Sequence, residues 1–147
     1  MITDALLRLS DAEGPFTATT VLDKTVDLSV ATDIGQGREF YVIFTVNTAF
    51  VGASPNKVSF EVVTGTDEAI TSGVEVLISS PKYVAETVVK GTQIVLKVPP
   101  ILGGKHPRFL GARVVEDGTI SGGAVTTDIV LDIQDGKTFY ASGFTVA

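Results

Sequence analysis

EFYVIFTV (residues 39–46) decides how this chain folds. After Glu39 the stretch carries no charge, and both its odd and its even positions are apolar or β-branched. Eight residues are far short of the roughly 20 that cross a bilayer as a helix. A short apolar run bounded by turn signals reads instead as a central strand covered on both faces. The bounding signals are Asp33-Ile34-Gly35-Gln36-Gly37 before it and Ser54-Pro55-Asn56 after it.

The same grammar repeats outward in both directions. Val58, Phe60 and Val62 alternate with Ser59 and Glu61, and Ile94, Leu96 and Val98 alternate with Gln93 and Lys97. Val125, Thr127, Ile129, Leu131 and Ile133 alternate with Thr126, Asp128 and Asp132. Successive strand residues face opposite sides, so each run predicts one buried and one solvated face. Val, Ile and Thr make up about a third of the chain, a composition suited to pleated, half-buried surfaces. Further turn signals stand at Glu13-Gly14-Pro15, Gly65-Thr66-Asp67, Ser80-Pro81, Lys90-Gly91, Pro99 to Gly104, Asp117-Gly118, Gly122-Gly123 and Asp135-Gly136. Eight or nine strands at this spacing predict a single all-β domain over residues 1–147, a jelly-roll-like antiparallel sandwich.

The two ends break the pattern. In residues 1–14, Ile2, Ala5, Leu6 and Leu9 fit a helical stripe that Leu7 interrupts, so either a short helix or an extended arm is expected. The close, KTFYASGFTVA (137–147), holds Phe139, Tyr140, Phe144 and Val146 with no side-chain charge after Lys137. Chain ends are usually polar and loose unless tied down. Residues 138–147 therefore read as a final strand of the domain's own sheet or as an arm given to a neighbouring subunit.

Chemistry is sparse. Without cysteine there is no disulfide, thiolate metal site or cysteine nucleophile. The one histidine, His106 in GGKHPR (103–108), has no G-x-S-x-G elbow to serve and reads as a solvated turn residue. Asp128, Asp132 and Asp135 match no calcium loop and read as a solvated strand face and a turn. Asp23, Asp27, Glu61, Glu75 and Glu86 fall on different strands, with no spacing that would pair two in a cleft. No phosphate loop or dinucleotide fingerprint is present. The reading is of a non-enzyme with no catalytic residue, cofactor or metal.

A net charge of −6 from 17 acidic and 11 basic residues argues against nucleic acid. The opening residues lack a basic leader, apolar block and small-residue cleavage site, which predicts folding in a cytoplasm and no membrane partner. Lys105, Arg108 and Arg113 stand out as a basic corner in an acidic chain. Arginine can grip a carboxylate through two parallel hydrogen bonds, so the corner is a candidate contact with an acidic surface. Phe139, Tyr140 and Phe144 are the apolar candidates for an interface.

MITDALLRLSDAEG (1–14), DIGQGREFYVIFTVNTAF (33–50), PRFLGARVV (107–115) and YASGFTV (140–146) together resemble the capsid cement proteins of short-tailed bacteriophages, a family typified by the cement protein of the Bordetella phages. The likeness covers most of the chain and is thinnest over residues 51–92. It implies a jelly roll that dimerises, binds the outside of an icosahedral shell and clamps neighbouring major capsid proteins. The expected place is then the virion exterior, after synthesis in the host cytoplasm. The competing reading is a carbohydrate-binding jelly roll. Sugar sites usually stack a ring on exposed aromatics, whereas this chain has no tryptophan and its three tyrosines, Tyr41, Tyr83 and Tyr140, are scattered.

Overall fold

The structure, a computed structural model, describes residues 5–29, 39–98 and 107–131. The stretch EFYVIFTV opens β4 (Phe40–Val51), the longest strand. It lies between β10 (Ser121–Val130) and β8 (Gln93–Val98), with β1 (Arg8–Glu13) beyond β10, giving a first sheet of order β1-β10-β4-β8. The second sheet runs β2 (Thr20–Val21), β9 (Phe109–Asp117), β5 (Lys57–Gly65), β6 (Glu75–Ser79). Two short strands complete it: β3 (Val26–Asp27) pairs with β9, and β7 (Tyr83–Val84) pairs with β5. Every pairing is antiparallel, and the chain passes back and forth between two sheets in the manner of a jelly roll.

The alternating runs land in phase. Val58, Phe60 and Val62 of β5, Ile94, Leu96 and Val98 of β8, and Val125 and Ile129 of β10 all point into the core with Val42 and Phe44 of β4. Phe44 and Phe60 meet across the two sheets, Phe60 meets Phe50 edge-on at 6.0 Å, and Phe50 lies against Phe16. Tilted and edge-on rings add about 0.5–1.5 kcal/mol per pair to simple burial. On the opposite face of β4, Ile43 is 4% exposed and Val130 of β10, near its neighbour Tyr41, is also buried. Both faces of this central strand therefore carry buried apolar side chains.

Residues 5–13 combine a one-turn 3-10 helix at Ala5–Leu7 with an extended strand, Arg8–Glu13, that pairs with β10. Three readings need correction. Gly122-Gly123 is not a turn but lies inside β10. Gly123 takes φ +75°, and a Cβ there would stand 2.5 Å from the Phe50 ring, so glycine is needed for close approach. Asp128 faces away from the core as expected, yet it is only 7% exposed, because Arg8 from β1 closes over it with Nε 3.0 Å from Oδ1. Leu131 was expected to be buried but is 48% exposed: β10 ends at Val130, and the period of two ends with it.

Candidate functional site

The outward face of the second sheet gathers the described arginines of the basic corner. Arg113 lies on β9 between Glu61 of β5 and Val21 of β2. Its Nε donates to Glu61 Oε2 at 2.7 Å, and both side chains are largely covered. Alternation along β9 puts Phe109, Gly111 and Val115 on this same face, while Leu110, Ala112 and Val114 belong to the core.

Arg108 precedes β9 and reaches across to β3. Its Nε donates to Asp27 Oδ1 at 2.9 Å, its Nη2 donates to Oδ2, and its guanidinium carbon lies 5.0 Å from the centroid of the Phe109 ring. Asp27 also accepts from Ser29 N at 2.9 Å and Ser29 Oγ at 2.7 Å. Hydrogen bonds from Arg108 and then Ser29 hold the Asp27 carboxyl well below the usual carboxylate range, and Asp27 in turn raises Arg108. The fork geometry leaves the Nη1 edge of Arg108 without a partner among the described residues.

Between the two ion pairs the face is closed by the loop from Thr66 to Gly73. Asp67 organises that loop, accepting from Thr71 Oγ1 at 2.7 Å, from Thr71 N at 3.1 Å and from Ser72 N at 2.7 Å. These bonds, the Thr71 hydroxyl foremost, lower the Asp67 pKa. They carry Ile70 down onto the sheet at φ +50°, a backbone region that β-branched residues avoid. Ile70 is nevertheless buried, because Gly65 and Gly111 leave a socket for it: a Cβ on Gly111 would stand 2.6 Å from Ile70 Cδ1.

The face is thus a patterned surface of paired charges around an apolar plug, and the two described arginines of the basic corner are each paired with a carboxylate. A cleft of about 260 Å³ opens beside that loop, lined by Arg8, Lys24, Asp23 and Glu68 with Leu9 and Val26 among them. Its charges are balanced and it singles out no ligand. Glu75, on β6, and Glu86, after β7, stand exposed on separate elements. Lys105, His106, Phe139, Tyr140 and Phe144 lie outside the described residues, as do Asp132 and Asp135. Sequence reading singled out Arg108 and Arg113 but missed their partners, which sit 81 and 52 residues away. It also missed Ile70, for which a turn reading of Gly65-Thr66-Asp67 gives no signal.

One family model, Bbp16, matches residues 9–129. The chain therefore belongs to the Bbp16 family, whose name has the form of a Bordetella phage protein and accords with the phage resemblance. No curated protein matches it.

Proposed function

We propose that this Bbp16-family chain is a structural virion protein: a cement, or decoration, protein on the outside of an icosahedral phage capsid. It stabilises contacts between major capsid proteins and works as a homodimer, without enzymatic activity, nucleic acid or membrane. The observation that carries the reading is the family match, which spans the sandwich from within β1 to within β10. The phage family is thus matched by the folded domain itself and not by an appendage.

A protein that binds only the assembled shell stabilises it by RT ln(1 + [L]/Kd), about 2.7 kcal/mol at a hundredfold excess over Kd. Two identical patches on a dimer convert weak contacts into tight binding through effective concentration. The outward face of the second sheet suits such a contact. Asp27 fixes the Arg108 fork in place, so its Nη1 edge, without a partner among the described residues, can take a carboxylate from the shell with little further ordering.

The test is co-sedimentation with purified shells of the encoding phage, together with the shell's own melting temperature. Saturable binding and a raised shell melt are expected. Absence of co-sedimentation overturns the proposal, and glycan-array binding in its place would establish the carbohydrate-binding reading. Arg108→Ala should weaken binding most at low salt. Equal decoration across a salt series would remove Arg108 from the contact.

A further inference from the structure

Among the described residues the sandwich has four lateral edges, and a strand edge presents open N–H and C=O groups that another chain can pair with unless the edge is blunted. Three of the four are blunted. β1 slips register twice, between Arg8 and Ser10 and between Ser10 and Glu13, with Ala12 at φ +50°. β2 and β3 are two residues each. β6 pairs with β5 across a register shift at Val62 and Val63, and β7 beside it is again two residues. Bulges and short strands are the usual devices against edge pairing.

β8 has none of these. All six of its residues pair with β4 in unbroken register, from Gln93 opposite Thr45 to Val98 opposite Phe40. It holds no proline or glycine, and its inward and outward residues alternate strictly. Its one charge, Lys97, is answered by Glu39 at 2.6 Å. Among the described residues no strand lies beyond it. Val95, at the middle of its outward face, is 41% exposed.

We propose that β8 is the seam of the homodimer, pairing antiparallel with β8 of a second copy about a two-fold axis through Val95. The inference rests on the dimeric reading above and names its surface. Residues opposite one another across an antiparallel pair share a face, so the axis must pass through a residue; a slip of one would set buried residues against exposed ones. With the axis on Val95, Gln93 opposes Lys97, Ile94 opposes Leu96 and Val95 opposes its own copy. Amide meets ammonium, apolar meets apolar, and no like charges face each other. An axis on Lys97 would instead set two ammonium groups together. The result is one continuous sheet in which the two first sheets join edge to edge.

The absence of native cysteine makes the test clean. Opposed residues in an antiparallel pair have Cα atoms about 4.5–5.5 Å apart, inside the 4.4–6.8 Å range of disulfides. Val95→Cys should therefore give a covalent dimer on mild oxidation, whereas Val76→Cys, exposed on the blunted β6, should stay uncrosslinked. Val95→Lys should reduce the light-scattering mass from dimer to monomer at micromolar concentration while the chain stays folded, its melting temperature lowered only by the lost association and no longer dependent on protein concentration. A wild-type dimer that survives Val95→Lys and yields no Val95→Cys crosslink overturns the seam alone. A monomeric wild type overturns seam and dimer together, and co-sedimentation with shells judges the capsid reading separately from both.

Discussion

Phe44 of the first sheet and Phe60 of the second face each other across the sandwich with ring centroids 5.1 Å apart, and both are fully buried. Phe60 also packs edge-on with Phe50, so one β5 side chain meets β4 at two places along its length. Phe60→Ala should cost roughly 3–5 kcal/mol in lost transfer energy plus the cavity left behind. At about 2–4 °C per kcal/mol for a chain of this size, the melt should fall by about 10 °C. A thermal melt within a degree or two of wild type would show that Phe60 is not in this core.

Ile70 and Gly111 form the second tight fit, and its weak point is one methyl group. Gly111→Ala should overpack the socket and destabilise by roughly 1–3 kcal/mol, since the new Cβ meets Ile70 Cδ1. Ile70→Val removes that methyl, so the same glycine substitution should cost distinctly less in the Ile70→Val background. Denaturant melts of the four proteins read the coupling directly. Additive losses would mean that the loop swings away and the plug does not matter.

Period-two runs such as Val58-Ser59-Phe60-Glu61-Val62 carried the fold in the sequence, because burial on one face leaves its mark locally. Lateral partners leave no such mark. Asp128 looked solvated because nothing near it in sequence reveals that Arg8, 120 residues away, will lie over it. Arg108 and Arg113 were legible as residue types, but their pairing with Asp27 and Glu61 depends on strand register between distant segments. Gly122-Gly123 reads as a turn by composition, and only the Phe50 ring against it explains a glycine pair within a strand.

The Arg108–Asp27 pair predicts an acid limb. Asp27 is depressed in the folded state, chiefly by Arg108. A depressed carboxyl contributes stability that is present above its unfolded pKa of about 3.9 and is lost as pH falls through the folded value. Wild type should therefore lose stability as pH falls below about 4, and Arg108→Gln should lower the melt at neutral pH while flattening that slope, so that the two proteins converge in acid. Carboxyl NMR titration should move Asp27 back toward the ordinary aspartate range in Arg108→Gln. An unchanged Asp27 titration would show that Ser29, and not Arg108, sets it.

Thr127 offers a gain instead of a loss. It sits on the inward face of β10 directly opposite Phe44, is fully buried, and its hydroxyl has no hydrogen-bond partner among the described residues. An unpaired buried hydroxyl costs roughly 1–3 kcal/mol of desolvation, and replacing it with an apolar group of the same shape recovers part of that. Valine has the same branched outline and suits a strand. Thr127→Val should therefore stabilise the protein by about 1 kcal/mol, raising the melt by about 2–4 °C. Thr127→Ser keeps the hydroxyl and removes a buried methyl, so it should lose stability by roughly 1 kcal/mol. If Thr127→Val melted below wild type, the hydroxyl would have a partner in solution, with a bound water bridging it to the strand as the first candidate to seek.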